Sequence, residues 1–401
     1  MGHFQRPGFH ALQHLRQISL NYDAGIATVV SVDGRIETMR ISIPQGVSGL
    51  VTHSTFLPLE SRMEFVAAGR TLTMTIGTVH DRCKTPTVYL DQKDWIDFAR
   101  WEKDSSLLPA SKGEFFKVLA AAASDGHVAV PISSAHLSET SKRGGTSRIE
   151  LASTILRYSR GWQMRSVLAL RRAELRALFG GSPLTKDDVV TLSPNAVLDM
   201  KPGPPIAPDL SEELSGLLER QVWASVLTDL MIDSKPTPDS GKDTAARWAQ
   251  SFQPLATSIA GNGKAKARLR ELTRLRFITD LGSDLPAAAN ESGLTPEEFG
   301  EWLGGKAERD IAASPGLGRM REILHLRLSN AEERWESNDL NDWFHLSYAA
   351  AYCDLVVGEK KTINYLRRAP APVQMGAKIH SRAEDALPDL QQLLESSQQR
   401  G

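Results

Sequence analysis

Three short, unbroken apolar runs constrain this chain more than any other feature. They are TVYLD at 87–91, HVAVPIS at 127–133 and DLVVG at 354–358. Each is too short for a helix and lacks polar alternation, the pattern of a strand covered on both faces. Helical stretches surround them: DWIDFARWEK, the alanine-rich GEFFKVLAAAASDG, SAHLSETSK, NDLNDWFHLSYAAAYC and EKKTINYLRR. A strand with two apolar faces needs helices above and below it. The order strand, helix, helix, strand, helix over 87–160 therefore predicts an α/β core around a parallel sheet, and 331–366 returns to the same grammar.

From Ile18 to about Thr78 the texture is different. GIATVVSVDGRIETMRISI and RTLTMTIGTV alternate with period two and are rich in Val, Ile and Thr, with Asp33-Gly34 where a hairpin turn falls. This predicts a small antiparallel layer or barrel-like module without readable chemistry. At 401 residues the chain has room for two or three domains. The expected division is a β-rich module over 1–85, the first part of the α/β domain over 86–180, a mainly helical insertion or lid over 181–330, the second part over 331–370 and a polar tail over 371–401. Helices are expected at Glu212–Ile232, Lys264–Thr279 and 295–305, the last with a capping threonine and acidic first turn. The proline-rich KPGPPIAPD at 201–209 breaks any element there, and KPTPDSGKD at 235–243 reads as a loop.

Charge is nearly balanced, with 47 Lys and Arg against 48 Asp and Glu. A globally basic nucleic-acid binder is excluded, while a local basic surface is not. Cys83 and Cys353 are too few for a disulfide framework or a cysteine-based zinc cluster, and buried free thiols are the simpler reading. The first thirty residues form no signal-peptide core, and no run approaches the ~20 apolar residues that cross a bilayer. The expected setting is the cytoplasm, away from membranes.

The chemistry-bearing residues are acids at the ends of the predicted strands. Asp91 closes the first run, where open α/β sheets place their active crevices; it suits a helix N-cap equally well. Asp94 and Asp97 follow on the same stretch. Glu139 lies one turn from His136 in the helix after the second run. The 331–360 block holds seven acids, Glu332, Glu333, Glu336, Asp339, Asp342, Asp354 and Glu359, against Arg334 and Lys360. A solvated helix accounts for the first three. It accounts less well for Asp342, which sits among Trp343, Phe344, Leu346 and Tyr348. Clustered carboxylates repel, and burying them unpaired is costly, so a positive charge must offset them. Oxygen-only donors favour Mg²⁺ or Mn²⁺, ions suited to phosphoryl chemistry.

KAKARLRELTRLR at 264–276 carries six cations opposed by Glu271. Anchored by Leu269, Leu272 and Leu275 or Phe277, it leaves Arg268, Arg270, Arg274 and Arg276 partly exposed. Either a phosphate backbone or plain solvent could face it. His136 and His345 are candidates to orient a carboxylate, water or phosphate, or to pack. Arg148 reads as a phosphate contact or a structural ion pair. The turn Ser159–Trp162 is a candidate pocket wall. No P-loop, dinucleotide fingerprint or nucleophile elbow is present.

The segments VYLDQKDWIDFAR (88–100), VAVPISSAHLSET (128–140) and NDLNDWFHLSYAAAYCDLVVGEKKTINYL (338–366) together resemble the PIN-like nuclease superfamily. That resemblance implies a parallel sheet flanked by helices and one or two divalent ions held by acids. It implies cleavage of nucleic acid, with RNA ahead of DNA, and roles such as toxin, RNA-processing factor or defence effector. The family's first acid corresponds to Asp91, its second to Glu139 and its third to Asp342. The last corresponds to Asp354 or Glu359, with Asp354 favoured because Asn338, Asp342 and Asp354 frame a more acidic face. The candidate substrate contacts are Lys93, Arg148, Arg268, Arg270, Arg274 and His345. Three departures stand out: Gln92-Lys93 replaces the small polar residue common after the first acid, the last acid is Glu if 359 is used, and the gap between Glu139 and Asp342 requires an insertion over much of 180–330. They motivate two alternatives: a degenerate module that binds nucleic acid or protein without cutting, and a phosphohydrolase of a small substrate. The N-terminal module is the candidate surface for self-association or a protein partner.

Overall fold

Two sheets of opposite character organise the chain. The computed structural model describes residues 13–43, 49–76, 85–199, 210–234, 240–330, 332–369 and 376–399. Cys83, the proline-rich run at 201–209, residues 235–239 and the prolines at 370 and 372 lie outside the described residues. The first sheet is antiparallel, built from β1 (Leu15–Asn21), β2 (Ile26–Ser31), β3 (Ile36–Arg40), β4 (Val51–Leu57), β5 (Arg62–Ala67) and β6 (Arg70–Thr75) in the order β3-β2-β1-β4-β5-β6. Gly34, with φ +87°, makes the turn expected between β2 and β3. Period-two alternation buries one face through Ile18, Leu20, Phe56, Met63, Phe65 and Met74.

That face is covered by the helix Glu212–Ile232, which sequence reading assigned to an insertion or lid. Tyr22 Oη lies 2.6 Å from Ser225 Oγ, Gln221 Nε2 donates to Ser54 Oγ at 2.9 Å, and the Val51 N–H donates to Asp229 at 2.7 Å. Buried polar groups demand partners, and here the partners span the two segments. This helix is a joint between the sheet and the rest of the chain.

The second sheet is parallel: β7 (Val88–Leu90), then after the short antiparallel pair β8 (Gln163–Met164) and β9 (Val190–Thr191), β10 (Leu355–Val357) and β11 (Lys378–His380), in the order β11-β10-β7. Parallel bridges from Thr87 to Ala129 and from Ile132 to Gln163 extend the parallel arrangement beyond β7. Alternation divides its apolar side chains between two cores. Val88, Leu90, Leu355 and Val357 pack into the core shared with the antiparallel sheet. Tyr89, Val356 and Ile379 pack into the second core, formed with helices such as Pro315–Leu328 and Asp339–Tyr352. The strand β11 was not foreseen. Three residues of ordinary polarity carry too little pattern to announce a strand, yet Ile379 and, beyond it, the fully buried Leu390 of the helix Leu387–Gln398 tie this segment down.

The described residues between 212 and 328 are mainly helical, as expected, with an N-capping Thr295 ahead of Pro296–Gly305. The basic stretch divides into Gly263–Ala267 and Leu269–Leu281 at Arg268. A helix begins at Ser240, inside the segment read as a loop. Cys353 is a buried free thiol. Among the described residues no helix is long and apolar enough to cross a membrane.

Candidate functional site

The carboxyl edge of the parallel sheet gathers helix starts. Asp91 follows β7 and caps Gln92–Lys103, accepting from the Gln92 N–H at 2.8 Å. Glu359 follows Gly358 after β10 and caps Lys360–Arg368, accepting from the Thr362 N–H at 3.0 Å. The two strand ends are neighbours, since the Asp91 N–H donates to Val357 O at 2.9 Å. The helix Asp339–Tyr352 runs back against β10, so its first turn, with Asp342, reaches this same edge. Glu139 comes from Ser134–Ser141. Gly358 packs closely here: a Cβ would lie 2.7 Å from Leu346 Cδ2, so a larger residue would have to displace that side chain of the Asp342 helix.

Electrostatics binds the four acids into one group. Burial raises the Asp91 carboxyl above its ordinary range, with Glu359 pushing the same way and Lys93 opposing. Burial and then Asp91 raise Glu139, against Lys142. Asp342 is pushed up to about 8, first by burial and then by Asp91, Glu139, Glu359 and Asp339, so the charges acting most strongly on it are all acids. The donors are all oxygen, the chemistry of a hard divalent cation. As placed, however, no group of three or more His, Cys, Asp and Glu among the described residues is arranged to hold a metal ion.

Asp354 does not join them. It precedes β10, and because Leu355 pairs with Val88 it lies at the amino edge of the sheet, a strand's length from Asp91. There its carboxylate accepts from the Thr87 N–H at 2.7 Å and Thr87 Oγ1 at 3.0 Å, and pairs with Lys186. The preference for Asp354 over Glu359 is therefore corrected. Both flank the same apolar run, and only the strand direction decides which end meets Asp91. Asp339 also turns away, to Arg327 at 2.6 Å and Lys361 at 3.1 Å.

Two histidines organise the neighbouring backbone. His136 accepts from the Ser133 N–H at Nδ1 (3.0 Å), so its Nε2–H donates to Leu90 O at 2.9 Å. Burial holds it neutral, down to about 3. His345 has Nδ1 2.8 Å from Asn341 O, which leaves Nε2 to accept from Ser134 Oγ at 3.0 Å. Burial lowers it to about 4. The Ser134–His345 pair was missed in the sequence because its members are far apart in the chain. Asp94 was weighed only as a companion of Asp91; it is fully buried, beside Lys93 Nζ at 2.8 Å, and burial raises it to about 6.

The expected cationic contacts are mostly occupied. Lys93 also reaches Ser381 O at 3.3 Å. Arg148 Nη1 donates to Ser141 O at 3.3 Å. Arg268 pairs with Glu271 at 2.7 Å, Arg270 with Glu322 at 3.1 Å, and Arg274 donates to Leu303 O at 3.0 Å. The four arginines are therefore each engaged, Arg268 and Arg276 by acids one turn on and Arg270 and Arg274 by groups distant in sequence, although Arg268 and Arg270 stay exposed. Comparison with known proteins finds no matching family model, no matching curated protein and no matching solved structure.

Proposed function

We propose that the chain is a divalent-metal-dependent nuclease of PIN-like architecture, acting on phosphodiesters in RNA ahead of DNA. One observation carries the reading: Asp91, Glu139, Asp342 and Glu359, from four separated segments, meet at the carboxyl edge of the parallel sheet and act on one another's charge. The parallel order β11-β10-β7, continued by the bridges at Ala129 and Gln163, supports the architecture.

In this reading those four carboxylates hold Mg²⁺ or Mn²⁺, which supplies charge neutralisation at the scissile phosphate and an activated water. The chain's own part is positioning. The amides of Gln92 and Thr362 hold and orient the Asp91 and Glu359 side chains, and the Glu359 backbone also meets the Asp91 carboxylate. The starts of the surrounding helices favour negative charge at this edge. His345 keeps the Ser134 hydroxyl directed at Nε2.

The test is cleavage of labelled single-stranded RNA and DNA by the full chain with Mn²⁺ or with chelator, alongside Mn²⁺ calorimetry. Metal-dependent cutting that disappears in both Asp91→Asn and Asp342→Asn supports the proposal; retained cutting in both pure variants overturns it. A second reading, a module that binds without cutting, is favoured by one observation, the lack of a preset metal ligand group among the described residues. It predicts no carboxylate-dependent Mn²⁺ binding.

A further inference from the structure

The turn that follows Glu139 carries cations and no acid. Past the helix Ser134–Ser141 the chain reads Lys142-Arg143-Gly144-Gly145 and then enters the helix Gly145–Ser159, with Arg148 near its start. Lys142 is exposed and Arg143 half-buried, and among the described residues no carboxylate stands within ion-pair distance of either. Glu150, the next acid along the chain, pairs with Lys103 at 2.7 Å. Arg148 Nη1 closes the turn through Ser141 O. A Cβ at Gly144 or Gly145 would meet nothing within 4 Å, so the turn stands in open space.

These charges lie beside the clustered acids. Side chains three and four residues apart on a helix share a face, with Cβ atoms about 5–6 Å apart. Lys142 and Arg143 stand three and four residues beyond Glu139, and Lys142 keeps helical backbone angles, φ −72° and ψ −14°. Its charge acts on Glu139, against burial and Asp91. Two other lysines at this edge are engaged by acids: Lys93 by Asp94 at 2.8 Å, and Lys361 by Glu333 at 2.9 Å and Asp339 at 3.1 Å. Lys142 and Arg143 have no such partner.

A divalent ion offsets the acids at one phosphate. The neighbouring phosphates of a strand still meet negative charge, and cations of the chain itself must hold them. We propose that Lys142 and Arg143 form the subsite for the phosphate next to the scissile one, so that the substrate is a nucleic-acid strand extending past the cleaved bond and not a lone phosphomonoester. This rests on the nuclease reading and adds the footprint of the substrate to it. Cations past the carboxyl end of a helix also stabilise its dipole. That role would show in folding stability and not in RNA affinity.

The probe is a labelled single-stranded RNA oligonucleotide, titrated with the full chain in chelator over a series of salt concentrations and followed by fluorescence anisotropy. The double variant Lys142→Gln with Arg143→Gln should weaken binding about tenfold and flatten the slope of log affinity against log salt by about 0.7 for each cation removed. As control, Lys264→Gln with Lys266→Gln removes the same charge from exposed side chains of Gly263–Ala267 and should leave both readings unchanged. Absence of RNA binding by the wild-type chain, undiminished affinity and slope in the first variant whatever its thermal midpoint, or an equal loss in the control would overturn the proposal. No metal and no cutting enter this measurement. Its failure is therefore distinct from failure of the nuclease reading, which cleavage by Asp91→Asn and Asp342→Asn decides.

Discussion

The two ends of β10 carry acids of opposite fate. Asp354, at the amino end, is met by the backbone and hydroxyl of Thr87 and by Lys186. Glu359, at the carboxyl end, is met by one backbone amide and adds to the charge that raises Asp91 and Asp342. An acid beside a strand is therefore uninformative until its counter-charges are known. Asp354 has the surroundings of a structural clip joining β10 to the segment entering β7. The other end accumulates negative charge without equal compensation, which a protein tolerates where a ligand completes the balance.

The sharpest way to break this contrast is functional. Asp91→Asn retains a helix-capping side chain and should lower metal-dependent cleavage about a thousandfold, with Glu359→Gln close behind and Asp354→Asn near wild type. Equal losses at 354 and 359 would erase the distinction.

Next comes pH. Asp342 has an ordinary value of 3.8 and is raised to about 8 in the fold, so between these values the folded chain binds more protons than the unfolded one. Stability should therefore fall as pH rises from 4 to 8, by about 2–4 kcal/mol without divalent ions. Denaturant unfolding in chelator at pH 5 and pH 8 reads this slope, and Asp342→Asn should flatten it.

Smaller effects refine the geometry. Gly358→Ala drives a methyl against Leu346 and should cost about 2 kcal/mol, with cleavage falling as the Asp342 helix is displaced. Asp354→Ala strips an acceptor from Thr87 and the partner from Lys186; the pair is only partly buried, so unfolding should show a loss of about 1–2 kcal/mol. Least of all, Arg268→Ala should leave the thermal midpoint unchanged, because its Glu271 pair is solvent-exposed. Lowered RNA affinity in that variant would restore the basic helix as a substrate surface.

The legibility of these features followed range. The apolar runs at 88–90 and 355–357, the hairpin at Gly34 and the cap at Thr295 rest on neighbours in sequence, and local patterns announce them. The strand Lys378–His380 has no pattern of its own and exists because β10 offers it an edge. Arg270 looked available because its partner, Glu322, stands some fifty residues away.

By itself the sequence determined two sheet types, since period-two alternation and unbroken apolar runs bury one face and two faces respectively. The family resemblance, not any local pattern, put Asp91, Glu139 and Asp342 together as candidate acids and favoured Asp354 over Glu359 for the fourth place. Tertiary structure decided which acid is neutralised, because charge compensation depends on distance in space: parallel pairing of Leu355 with Val88 sends Asp354 to Lys186 and Glu359 to Asp91.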